Sequence, residues 1–262
     1  MNTAILNGLL NGLADAFEFL NSYGVLRALV EGAIVVGLWV GLQRTTLSGR
    51  ARVTTWLAIV VPLLAWLAVT WQLARTGALP PIPVDIIVPL AVGLFLLMRS
   101  QSVAAVLDAT PSTWLIGLQV YRVFGAVFLV QWGLGHLNGI FAVPAGVGDV
   151  LVGALALPVV FYLRSGAPSG RAVAIAWNLL GIFDFVMAIT LGALSQSGLL
   201  PSFGVQPTAL GFPLVMIPAF VVPQGLILHA LSLWQLRRAT RRVATRASTS
   251  MFKPSSASAA AA

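Results

Sequence analysis

Residues 53–74 read VTTWLAIVVPLLAWLAVTWQLA, a stretch without one charged residue, closed by Arg52 on one side and Arg75 on the other. As a helix rising 1.5 Å per residue it is about 33 Å long, enough to cross a hydrocarbon core of about 30 Å. Stretches of the same kind occur on both sides of it, approximately at 23–43, 84–98, 112–135, 140–163, 172–194 and 210–236. The chain therefore reads as an all-α, polytopic transmembrane helical bundle of about seven spans.

Composition agrees. Of the 262 residues, 58% are hydrophobic and 8% charged, against roughly a quarter charged in an average soluble domain. So large an apolar excess excludes a water-soluble fold. The spans and their connections take up most of the length, leaving one membrane domain at 23–236 between an N-terminal segment (1–22) and a C-terminal tail (237–262). There are no cysteines, hence no disulfide framework, thiolate metal site or Cys nucleophile.

The first 22 residues place Ile5, Leu9, Leu13, Phe17 and Leu20 at helical spacing with Asn7, Asn11, Asp15 and Glu18 between them. That pattern predicts an amphipathic helix lying at the membrane interface. No Lys or Arg occurs before Arg27, so a cleaved secretory signal is not expected.

The net charge of +8 suggests nucleic acid in a soluble protein, but here the basic residues sort by connection. One side receives Arg44, Arg50, Arg52, Arg99, Arg164, Arg171, Arg237, Arg238, Arg241, Arg242, Arg246 and Lys253, and the other only Arg75. Cytoplasmic connections retain the Lys and Arg excess. The alternation predicts an outside N-terminus, a cytoplasmic C-terminus and a location in the cell (cytoplasmic) membrane. The bilayer is the expected partner and nucleic acid is not. The basic tail could meet anionic headgroups, although a topology-fixing stop-transfer charge explains it as well. Beyond about residue 247 the Ser and Ala run predicts disorder.

Proline and polar residues mark the ends and bends. The 84–98 stretch is short and follows Pro80, Pro81 and Pro83, the pattern of a tilted or re-entrant segment. Asp108 or Thr110 can cap the next helix, with Pro111 in its first turn. Pro213, Pro218 and Pro223 predict a kinked last span.

Charges within spans are rare because each costs at least about 2.5 to 3.5 kcal/mol near the bilayer centre. Arg27 and Glu31 are four apart and can neutralise one another on one helix face. Arg122, Asp149 and Asp184 are more informative. Counted from the outer helix ends they lie at depths of about 20, 14 and 15 Å, so they can meet. Each lies on a face of small residues: Gly125 and Ala126, Gly146 and Gly153, Gly181 and Ala188. Such faces allow close helix approach.

Two acids on one Arg leave a formal charge of minus one, which favours holding a proton or recruiting a cation. Gln119, Trp177 and Gln224 complete the candidate substrate- or ion-binding set. Tyr121 and Asn178 point obliquely. His229, on a stripe with Gly225 and Ser232, reads as an interfacial residue with proton relay as its alternative. His136 reads as a loop residue. No metal or cofactor site and no catalytic residue is expected.

Gly146, Val147, Gly148 and Asp149 spell GxGD, which resembles the motif of intramembrane aspartyl proteases. The resemblance implies a dyad with Asp184. In that family the partner Asp precedes the GxGD helix, whereas Asp184 follows it. Separately, QVYRVFGAVFLVQWGLG (119–135) followed by FAVPAGVGD (141–149) resembles uncharacterised bacterial multi-pass membrane proteins, which implies the class and no activity.

The leading functional expectation is a small transporter or permease with a midplane Arg/Asp/Asp site, working as an oligomer. The alternatives are a non-transporting membrane subunit or scaffold held by a structural charge network and, third, an intramembrane aspartyl-type enzyme.

Overall fold

An apolar chain that must satisfy its backbone polar groups internally does so as helices. The structure, a computed structural model, describes residues 3–22, 25–80, 82–196, 212 and 214–251. Among them every regular element is helical: α1 (Thr3–Ser22), α2 (Val25–Gln43), α3 (Gly49–Thr76), α4 (Ile82–Arg99), α5 (Gln101–Ala109), α6 (Ser112–Leu118), a 3₁₀ segment (Gln119–Gly125), α7 (Ala126–Gly133), α8 (Gly139–Arg164), α9 (Gly170–Gln196), a π segment (Ile217–Val221) and α10 (Val222–Met251).

Five helical stretches are long and apolar enough to cross a membrane: Gly49–Thr76, Ser112–Gly133, Gly139–Arg164, Gly170–Ser195 and Ile217–Arg238. Shorter apolar helices at Ala28–Gln43 and Val84–Phe95 coincide with the other two expected stretches. Large side chains such as Leu29, Phe161 and Phe183 face outward, an apolar exterior that a water-soluble protein does not carry.

Helix ends follow local chemistry. Ser48 accepts a hydrogen bond from the Ala51 amide and starts α3, while Gly77, at φ 68°, ends it by returning its amide to Ala74 and Leu73. Only glycine takes that left-handed conformation without penalty. Asn138 caps α8 through the Ile140 amide.

The expected cap of the 112–135 stretch is different. Pro111 itself occupies the cap position of α6 without a side-chain hydrogen bond, and the Thr110 hydroxyl donates back to Val106. Asp108 lies outside the described side chains, as does Arg27, so the Arg27–Glu31 pair is outside the described residues too.

Three elements depart from uninterrupted α-helix. The connection after residue 99 contains the short helix α5. The 112–135 stretch winds as 3₁₀ through its middle. The last stretch opens with a π segment holding Pro218, where a proline has removed a donor and the ladder is re-registered. Pro213 lies outside the described residues. By contrast α4 is continuous despite Pro89. The helix of α10 continues to Met251, and residues 252–262 lie outside the described residues.

Packing defines two ends and a centre. Near one end Ile116, Val160, Ala174, Trp177 and Leu236 form a cluster, and Gln235 donates to the Thr110 carbonyl. Arg164 and Arg171 flank the short turn joining α8 to α9 at that end. At the opposite end Val127, Phe128, Leu137 and Phe141 pack with Ala188 and Ile217. Helix α8 touches α6, the 3₁₀ segment, α7 and α9, which makes it the axis of the bundle. Leu10 of α1 reaches Gly133 of α7.

Candidate functional site

The 3₁₀ segment aligns residues three apart along one side of the helix, and Gln119, Arg122 and Gly125 are all buried there. Arg122 is 2% exposed, so its guanidinium must be satisfied by protein. Nε donates to Asp149 Oδ1 at 2.8 Å, and Nη2 donates to Asp184 Oδ2. Nη1 reaches His229 Nε2 at 3.1 Å and the Gly181 carbonyl at 3.4 Å. The Phe185 ring lies 3.8 Å from Cζ and stacks on the cation. The three charges read from sequence as able to meet do converge.

His229 is fully buried, not at the interface, because α10 packs along α9 at this level. Arg122 has only donors, so His229 Nε2 accepts and its proton sits on Nδ1. Nδ1 then donates to Asn178 Oδ1 at 3.0 Å. Asn178 Nδ2 donates in turn to Ala174 O at 2.7 Å and Ser232 Oγ at 3.1 Å. A continuous polar chain thus runs from the two carboxylates through Arg122, His229 and Asn178 to Ser232. Asn178 and Tyr121, read as oblique, are both buried here. The available signal for them was polarity itself within apolar runs.

Glycines make the convergence possible. Gly125 lies against Asp149, Gly148 against Asp184, and Gly181 against His229 and Arg122. A Cβ on Gly153 would come within 2.6 Å of the Val123 amide nitrogen, so α8 and the 3₁₀ segment meet backbone to backbone. Gly148 was not among the small residues read from sequence as a packing face.

The remaining candidates divide. Gln119 Nε2 donates to Gly225 O at 3.0 Å, pinning the 3₁₀ segment to α10. Trp177 commits its indole N–H to Val152 O at 3.0 Å and forms a wall 5.1 Å from the His229 ring. Gln224 Nε2 is buried without a partner, as are Gln119 Oε1, the Tyr121 hydroxyl and Asp184 Oδ1. Buried polar atoms are seldom left unpaired, and this set borders the charge network. In the GxGD reading two carboxyls share a proton directly. Here Arg122 holds an oxygen of each, a different arrangement.

Residues 79–237 match the family described as a domain of unknown function, DUF8737. The chain belongs to this family. Comparison with curated proteins and with solved structures found no match. The DUF8737 region takes in α4 through the apolar part of α10, and so contains every member of the network. Helices α1, α2 and α3 precede it.

The network is not closed on all sides. Asp149 is 13% exposed at its side chain and Asp184 4%. Asp149 lines a pocket of about 50 Å³ together with Asn138, Phe141 and Ser195, room for a few water molecules. That pocket lies toward the end of the bundle away from Arg164 and Arg171.

Proposed function

We propose that this DUF8737 protein is a seven-span protein of the cytoplasmic membrane, N-terminus outside, that carries a small solute across the bilayer. Arg122, Asp149 and Asp184 form its proton- or cation-exchanging centre. The observation that carries the reading is the asymmetry of the two carboxylates. Both hold Arg122, yet Asp149 borders the small pocket while Asp184 is sealed.

With both acids ionised the trio has a formal charge of minus one. A proton arriving through the pocket neutralises Asp149 and loosens its hold on Nε. Arg122 then rests on Asp184 and His229, and the guanidinium can shift between them. The π segment and Pro223, next to the network on α10, supply a place where the last span bends. Midplane polar groups beside broken helices are how secondary transporters couple charge to movement.

The test is to record solid-supported-membrane currents from proteoliposomes under a pH gradient while a panel of amines, carboxylic acids and neutral amphiphiles is applied. A solute-dependent current that Asp149→Asn abolishes, in a protein that still elutes as a single species, is expected. Unchanged currents in both Asp149→Asn and Asp184→Asn would sink the proposal.

A second reading has its own observation. All three guanidinium nitrogens of Arg122 are already paired, as in a clasp locking the 3₁₀ segment to α8, α9 and α10. A membrane subunit or scaffold needs no more than this. On that reading the same variants lose stability, and no solute on the panel produces current.

A further inference from the structure

Between the α2–α3 hairpin and α4, α6 and α10 lies a cavity of about 530 Å³, although α2 meets α6 at Gly37 and Trp114. That volume falls in the range of small-molecule sites, roughly 300 to 1,000 Å³. It follows α3 from Ala58 to Leu73, about 22 Å of helix at 1.5 Å per residue. The walls are almost wholly apolar, with the rings of Trp66 and Trp114 among them.

Thr70, Ser100 and Thr110 add hydroxyls to this lining, and two further polar residues give it its chemistry. Gln224, 6% exposed, lines the cavity from α10, and its Nε2 has no hydrogen-bond partner. Asp85, half-buried in the first turn of α4, is the one charged residue on the walls, and no Lys, Arg or His lines them among the described residues. Among the described residues no salt bridge to Asp85 is found.

We infer that this cavity binds an amphiphilic organic cation: its positive group pairs with Asp85, its apolar body fills the slot, and an acceptor oxygen on it takes the Gln224 N–H. The charge argument selects the occupant. An acidic headgroup would face a carboxylate with no cation to offset it, and a purely apolar chain would leave both polar groups unmet. A cation satisfies Asp85 in an apolar setting where the attraction is weakly screened. The cavity contains none of Arg122, Asp149 and Asp184 and shares only Gln224 with the set at the border of that centre, so the Asp85 arm of the test is independent of any transport through the Arg122 centre.

The experiment uses the full chain in phosphatidylcholine nanodiscs, with fluorescence anisotropy of rhodamine 6G, a cation bearing an ester carbonyl. Nile red is the neutral comparator, and empty discs are subtracted. Saturable rhodamine 6G binding is expected, weakened at least about tenfold by Asp85→Asn, while Nile red is unaffected by that change. Gln224→Leu should weaken both dyes, and Val92→Trp, which fills the slot, should remove both. If rhodamine 6G and Nile red bind equally and Asp85→Asn changes neither, the slot is a lipid-filled gap and the inference fails. Absence of saturable binding overturns it as well. Should Val92→Trp prevent folding, Asp85→Asn alone still decides between these outcomes.

Discussion

Gly148 lies directly against the carboxylate of Asp184, so close that a methyl group on its α-carbon would overlap Oδ1. Two antiparallel helices, α8 and α9, bring an acid of one onto the bare backbone of the other, and this seats Asp184 within reach of Arg122.

Replacing that hydrogen by a methyl must displace Asp184 or part the helices. Gly148→Ala is expected to cost about 1 to 3 kcal/mol, the usual penalty of overpacking. Thermal denaturation in detergent measures it, with Val147→Ala, at a position 51% exposed, as a control that should hardly move. Equal midpoints for the two variants would mean that Asp184 has slack.

Removing the cation strands two buried acids. Arg122→Met is expected to destabilise by about 3 to 5 kcal/mol, because breaking a buried pair leaves charge uncompensated. Adding Asp149→Asn and Asp184→Asn to Arg122→Met should recover much of that loss. Arg122→Lys keeps the charge but cannot reach both carboxylates and His229 with a planar fork, so it should fall between. A triple variant less stable than Arg122→Met alone would contradict the charge argument.

His229 joins Arg122 to Asn178 through both ring nitrogens. His229→Leu leaves a buried donor and a buried acceptor unpaired, worth about 1 to 3 kcal/mol in lost stability. His229→Gln, which retains an acceptor and a donor, should lose less. Ranking the two variants by unfolding midpoint checks this, and the reverse order would remove His229 from the polar chain.

Orientation is open to direct labelling because the chain has no cysteine. With Thr76→Cys and His136→Cys, a membrane-impermeant maleimide should react in intact cells. With Ser48→Cys and Ser169→Cys it should react only after permeabilisation. Labelling of Ser48→Cys and Thr76→Cys from the same side would mean that α3 does not cross, and a full reversal would invert the proposed topology.

The resemblance of 119–149 to uncharacterised membrane proteins agrees with membership of DUF8737, and the helical class was plain from runs such as 53–74. The charged trio was also legible, because depth along a helix is a matter of counting. His229 was not, since whether a residue about two turns from the end of a span meets headgroups or protein depends on which neighbour packs over it. The 3₁₀ winding at Arg122 was hidden for a similar reason. Nothing local in QVYRVFG demands it; it accompanies a close approach to Gly153 and a hydrogen bond to Gly225.

By itself the sequence determined properties that are additive along the chain: apolar length and the sorting of basic residues among connections. Each depends on a residue and its near neighbours. Only tertiary structure decided which helices stand side by side, and with that the tautomer of His229, the unequal exposure of Asp149 and Asp184, and the cavity between α3 and α10. Those depend on contacts between residues dozens of positions apart, whose geometry arises when the helices pack.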